Sequence, residues 1–232
     1  MNISEQISTN LQTIAENEQK VFDAGYEKGK SEGGDLNAVN YAKVIQFTDD
    51  DWAESDTVEI DIPNVTTLNN LFNGFWFKKI QHLIIRTEKP ITSCRGMFWL
   101  SGDNNTPETL TTITLEIDTS QCTDFSSMFY KCRGLVEIKG NPLDFSSATS
   151  IGGLNNYSNK IQSFRVVAGS IKVNINVSYS QMLTAETIQS VIDGLADLTG
   201  STAQTITWSA NVKAKLTDEQ KATITGKNWT IA

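Results

Sequence analysis

The chain has 232 residues with 39% hydrophobic side chains, enough for one well-filled core or a small arm plus a body, and too apolar for wholesale disorder. Its 27 acidic residues outweigh 19 basic ones to leave a formal charge of -8. No basic tract interrupts that balance, which argues against nucleic acid, because phosphate binding needs clustered Lys and Arg.

At the start, Met1 to Asn10 (MNISEQISTN) carries neither a positive n-region nor a continuous apolar h-region, so no secretory signal is expected. The longest apolar runs, such as Leu83-Ile84-Ile85, are far too short to cross a bilayer. From Ile3 to about Asp23, Ile7, Leu11, Ile14 and Val21 step by four, three and seven, the pattern of a coiled-coil seam. An isolated helix of this length is marginal in water, so it needs partners. The seam Ile3, Ile7, Leu11, Ile14 and Val21 is therefore the expected oligomerisation site; β-branched residues at d favour three or four strands over two, and a homotrimer is the expected state. Packing of the helix back onto its own body is the alternative. Ala24 to Asp35 reads AGYEKGKSEGGD, and glycine at that density predicts a linker, with close approach of helices at the regularly spaced glycines as the alternative.

The body repeats. Val65-Thr66-Thr67-Leu68-Asn69-Asn70-Leu71-Phe72 aligns with Ile91-Thr92-Ser93-Cys94-Arg95-Gly96-Met97-Phe98, with Cys122-Thr123-Asp124-Phe125-Ser126-Ser127-Met128-Phe129 and with Ala148-Thr149-Ser150-Ile151-Gly152-Gly153-Leu154-Asn155. Successive copies begin 26, 31 and 26 residues apart, and the long step contains the loop-like Ser101-Gly102-Asp103-Asn104-Asn105-Thr106-Pro107. This period falls in the leucine-rich-repeat window of roughly 20 to 29 residues. Upstream of each copy lies a β-like stretch: Val58 to Ile62, Leu83 to Ile85, Ile113 to Ile117 and Val136 to Ile138. The expected repeat core is Leu68, Leu71, Phe72, Met97, Phe98, Phe125, Met128, Phe129, Ile151 and Leu154, with the phenylalanines as stacked rungs and Asn155 ending the series.

The third copy, Thr123-Asp124-Phe125-Ser126-Ser127-Met128-Phe129-Tyr130-Lys131-Cys132-Arg133-Gly134-Leu135, resembles the unit of the BspA-type bacterial leucine-rich repeats, "T-x-φ-x-x-M-F-x-x-C-x-x-L" with φ apolar. The other copies are degenerate, and the likeness spans about Val58 to Val166. It implies a repeat fold and says little about a ligand.

Toward the C-terminus, Thr184 is a plausible N-cap for a helix whose apolar face is Ile188, Val191, Ile192, Leu195 and Leu198, ending near Gly200. Thr205 to Trp208 reads as a strand. Thr217-Asp218-Glu219-Gln220 is a capping-box start for a helix stopping at Gly226, and Asn228 to Ile231 reads as a last strand. Leu216 to Thr225 and Lys227 to Ala232, with Ala24 to Lys30 in the arm, resemble segments of leucine-rich-repeat proteins encoded by phages and prophages of Gram-positive bacteria.

Catalysis finds little support. His82 is the only histidine, which removes Ser-His, Cys-His and multi-His metal constellations. Cys94, Cys122 and Cys132 fit no zinc spacing and read as small buried hydrophobes. Asp49-Asp50-Asp51 with Glu54 and Asp56 is an acidic run without EF-hand spacing, better read as a solvated loop than as a calcium site. No nucleotide-binding glycine motif occurs. No catalytic residue, metal or cofactor is expected. Trp76, Trp99, Tyr130 and Tyr157 follow their repeat motifs and are candidate ligand contacts, either stacking on sugars or touching a protein, with capping of the core between repeats as the alternative.

Together these readings predict an α+β chain: a short leucine-rich-repeat solenoid with an N-terminal coiled-coil helix and a C-terminal α-β-α-β cap. The expected divisions are 1–24 oligomerising helix, 25–40 linker, 41–57 N-terminal cap, 58–183 repeats and 184–232 capping module. The expected function is that of a non-enzymatic virion protein, a phage fibre or decoration made in the host cytoplasm. Its helix would join another virion protein, and its repeats would meet a host-surface glycan or protein, without membrane insertion. A bacterial cell-surface adhesin and a cytosolic interaction scaffold are the alternatives.

Overall fold

The computed structural model describes residues 56–62, 64–100 and 109–232. The seam residues Ile3, Ile7, Leu11, Ile14 and Val21, the linker, the acidic run from Asp49 to Glu54 and the 101–107 insertion lie outside the described residues.

Four strands, β1 (Thr57–Asp61), β2 (His82–Arg86), β3 (Thr112–Glu116) and β4 (Glu137–Gly140), form one parallel sheet in sequence order. Alternation decides their faces. The register aligns Val58, Leu83, Ile113 and Ile138 in one row and Ile60, Ile85 and Leu115 in the next. All of these are buried except the partly buried Val58. On the outer face Asp61, Arg86 and Glu116 are register partners. There the Arg86 guanidinium bridges three strands, with Nε 2.6 Å from Glu116 and Nη1 2.5 Å from Glu59.

The repeat motifs build a second, parallel wall. Its ladder runs through isolated bridges Thr67↔Ser93, Ser93↔Asp124 and Asp124↔Ser150. Within it, Leu68, Asn70 and Phe72 donate their N–H groups to Ser93, Arg95 and Met97, and Phe125, Ser127 and Phe129 donate to Ser150, Gly152 and Leu154. The recurring threonine has a physical cause here: the hydroxyls of Thr92, Thr123 and Thr149 donate to the carbonyls of Thr66, Thr92 and Thr123 at 2.9, 3.2 and 3.0 Å. The sixth motif position, Asn70, Gly96, Ser127 and Gly153, has positive φ in all four copies, between 56 and 67°.

Between the walls the side chains interlock. Phe72 stacks on Phe98 at 5.1 Å and Phe98 on Phe129 at 5.8 Å, with interplanar angles of 17° and 12°. Leu68, Leu71, Met97, Phe125, Met128, Ile151 and Leu154 are all in the same core. Asn155, in the next rung, is buried and donates to the Ser180 hydroxyl at 2.6 Å.

The remaining elements are β5 (Ile175–Asn176), α1 (Ala185–Gly194), β6 (Gln204–Thr207), α2 (Ala210–Lys213), α3 (Asp218–Gly226) and β7 (Trp229–Ile231). Thr184 caps α1 by accepting from the Thr187 N–H, and Thr217 with Gln220 completes a capping box on α3. Strands β5, β6 and β7 form a second, three-stranded parallel sheet.

This arrangement corrects the predicted fold class. The described residues form two parallel sheets, of four and three strands, with three short helices, and not a leucine-rich-repeat solenoid closed by an α-β-α-β cap. The strand array stops at β4, beyond which Ser163 and Val166 make only isolated bridges to Glu137 and Leu143. The predicted cap is not a separate module, because β6 pairs in parallel with β5, from the span assigned to the repeats. Helix α1 also ends earlier than its apolar pattern suggests. At Gly194 the chain turns to pair with Ile171, accepting the Ile171 N–H on Gly194 and donating the Ala196 N–H to the Ile171 carbonyl. The helix α2 begins at the N-cap Ser209, where only a strand end was expected.

Candidate functional site

Alternation along the second wall determines which side chains reach solvent. Phe98 and Phe129 point into the core, so the residues after them, Trp99 and Tyr130, emerge on the outside. Hydrogen bonds from Leu100 to Tyr130 and from Lys131 to Asn156 hold consecutive segments side by side. The spacing of paired backbones, roughly 4.8 Å, then brings successive outward rings into contact.

The result is a row of four rings. Trp99 and Tyr130 are 4.6 Å apart between centroids, Tyr130 and Tyr157 5.4 Å, and Tyr157 and Tyr179 5.1 Å. Trp99 is 40% and Tyr157 46% exposed, whereas Tyr130 and Tyr179 are half-buried. Lys131 adds a cation beside the row, its Nζ 5.6 Å from the Tyr130 ring. Tyr157 itself has φ 64°, so its ring is delivered by left-handed backbone that a non-glycine residue adopts at a cost. Loss of surrounding water, followed by the neighbouring Tyr157 phenol, pushes the Tyr179 phenol above its usual pKa.

Three of the four aromatic residues singled out in the sequence, Trp99, Tyr130 and Tyr157, are thus brought together. The fourth, Trp76, stands instead beside Lys78, whose Nζ is 6.0 Å from its ring. Tyr179 completes the row, although sequence reasoning passed it over. A signal for it existed: Tyr157-Ser158 and Tyr179-Ser180 are the same dipeptide, each with a fully buried serine.

His82 and the three cysteines are held within the fold. His82 shares a 2.8 Å hydrogen bond with the Thr114 hydroxyl. Cys94, Cys122 and Cys132 are buried free thiols. A hydrogen bond with Cys122, together with burial, pushes the Cys94 thiol well above its usual pKa. Among the described residues no cluster of three or more His, Cys, Asp or Glu side chains is placed to hold a metal ion, and no helix is long and apolar enough to cross a membrane.

Set against known proteins, the chain matches no family model, no curated protein and no solved structure.

Proposed function

We propose that this chain is a non-enzymatic attachment protein that holds a host-surface molecule against the row of Trp99, Tyr130, Tyr157 and Tyr179. The single observation that carries the reading is the row itself: four rings in contact, two of them exposed by two-fifths or more. Large rings left in water on a rigid wall offer contact area at little conformational cost, and they suit the apolar faces of sugar rings or the side chains of a protein. The setting is a virion, where the N-terminal helix makes a homotrimer and joins another virion protein. Its support is the coiled-coil pattern of the arm and the resemblance of both ends of the chain to phage-encoded repeat proteins.

Binding of the purified full chain to intact bacterial cells tests the reading. Trp99→Ala with Tyr157→Ala should weaken cell binding at least about tenfold, the usual loss when two aromatic anchors are removed, while lowering the melting temperature by only a few degrees. Cell binding that is unaltered in the double variant would discard the row as the contact surface. Antibody labelling of purified particles tests the virion setting separately, and unlabelled particles would remove it.

A further inference from the structure

A groove lies where the first sheet stops. Beyond β4 the chain from Ser163 to Val166 lies alongside as one more extended segment: the Ser163 N–H donates to Val136, its carbonyl accepts from Ile138, and the Arg165 carbonyl accepts from Leu143. Alternate residues in such a segment direct their main-chain groups to opposite sides. Phe164, Val166 and the Gln162 carbonyl therefore face away from β4, toward the position of a following strand, while the Gln162 N–H donates to Val136 on the β4 side.

Among the described residues no strand takes that position. Helix α1 stands there instead, and it satisfies the two ends of the segment only: the Thr184 N–H donates to the Gln162 carbonyl, and the Val166 N–H donates to the Ser190 hydroxyl at 2.9 Å. Between them Phe164 makes no main-chain hydrogen bond to any described residue. Main-chain groups are almost always paired with protein or water, so the Phe164 N–H and C=O on this groove wall are available to a ligand that can replace water there. A groove of about 600 Å³ opens here, lined by Ser163, Phe164, Arg165, Thr184, Glu186 and Ser190 together with the end of β4.

The charges in the groove differ in availability. Lys139 is tied to Glu137 at 2.7 Å. Arg165 gives one guanidinium hydrogen bond to the Gly140 carbonyl, has no ion pair among the described residues and is exposed. Its remaining N–H donors are free to take a planar anion in two-point fashion. Glu186 supplies a carboxylate acceptor, and Ser190, whose oxygen already accepts from Val166, keeps its own O–H to donate.

We propose that this groove binds a small ligand that carries a carboxylate, a secondary amide and several hydroxyls, namely an N-acylated acidic sugar. Arg165 takes the carboxylate, the Phe164 N–H and C=O take the amide, and Glu186 and the serine hydroxyls take sugar O–H groups. An amide fits Phe164 because it is both donor and acceptor, as the missing strand would have been. The groove volume is within the range of about 300 to 1,000 Å³ usual for small-ligand sites. This site is separate from the aromatic row and stands whether or not the row binds anything.

The test is titration of the full chain with N-acetylneuraminic acid, followed by calorimetry or by amide chemical shifts. N-acetylglucosamine, which keeps the amide but lacks the carboxylate, and acetate, which has the carboxylate alone, are the comparison probes. The acidic sugar should bind at least about tenfold more tightly than either, and Arg165→Gln should remove that advantage, since a charge-assisted hydrogen bond is lost. Arg165 is exposed, so unchanged circular dichroism would show that the variant folds. Trp99→Ala should leave this binding unaltered, which keeps the outcome distinct from the fate of the row. No binding at millimolar sugar, equal binding of all three probes, or full affinity in Arg165→Gln would each overturn the proposal.

Discussion

Phe72 and Phe98, a full repeat apart in the chain, lie ring on ring at 5.1 Å and 17°, and Phe98 repeats the contact with Phe129 on its other side. Phe98 is therefore the middle member of a column that ties three repeats together, fully buried and bordered on both faces by other rings.

Truncating that middle ring should cost more than any surface change. Phe98→Ala is expected to lose about 3–5 kcal/mol through lost burial and the cavity left behind. At roughly 2–4 °C per kcal/mol for a chain of this size, melting should fall by about 6–20 °C, whereas Trp99→Ala, the next residue, should shift it by only a few degrees. Urea unfolding of both variants measures the difference, and near-equal losses would mean that the column is not a shared support.

The positive-φ position of each motif offers a paired experiment. Ser127 has φ 57° and Gly153 has φ 67° at equivalent places in consecutive copies. A left-handed residue with a Cβ is strained by roughly 1–2 kcal/mol, so Ser127→Gly should stabilise by about 0.5–1 kcal/mol after the entropy of the freer unfolded chain is set against that relief. Gly153→Ala should destabilise by about 1 kcal/mol or more, because its added Cβ would also sit 3.2 Å from the Asn156 amide nitrogen. Opposite signs are the outcome to look for, and a shared sign would contradict the backbone conformation.

Enclosure governs the reactivity of all three thiols: the hydrogen bond that raises the Cys94 thiol's pKa lowers that of Cys122, so burial rather than protonation has to protect Cys122. Cys94, hydrogen-bonded to Cys122 and enclosed, holds its proton well above the usual thiol range, and a thiol rather than a thiolate reacts slowly. A colorimetric thiol reagent near neutral pH should label none of the three within minutes in the native chain and all three in denaturant. Rapid labelling of even one under native conditions would show that the core between the repeats opens.

Individual strands and core positions were legible because periodicity carries physical information, although the fold class inferred from them was overturned. The repeated apolar positions marked Phe72, Phe98 and Phe129, and alternation marked the strands around Leu83 and Ile113, since a side chain facing a dry interior must be apolar in every copy. Legibility failed where a local pattern met a tertiary partner. Leu195 and Leu198 continue the helical spacing of α1, yet the chain leaves the helix at Gly194 because Ile171 offers it main-chain hydrogen bonds. Nothing local distinguishes β6 pairing with β5 from β6 closing a separate cap. Tyr179 was hidden for a related reason: beyond Asn155 the repeat motif dissolves, and only the recurring Tyr-Ser pair survives. The groove at Phe164 is invisible in sequence, because it arises from a helix standing where a strand is absent.

The last prediction concerns alkaline pH. The Tyr179 phenol stands against Tyr157, and reduced hydration, then the Tyr157 phenol's field, raise its pKa above the ordinary value of 10.0. A raised pKa in the folded chain means that the native state keeps this proton at a pH where the unfolded chain has begun to release it. The stabilising contribution is therefore whole below about pH 10 and is lost as pH climbs through the higher native value. Tyr179→Phe keeps the ring in the row and removes the ionisation. Its stability relative to the parent, followed by urea unfolding from about pH 8 to pH 11, should stay constant up to about pH 10 and then improve. A difference that stays flat throughout, or one that worsens with pH, would mean that Tyr179 ionises as freely in the row as in water.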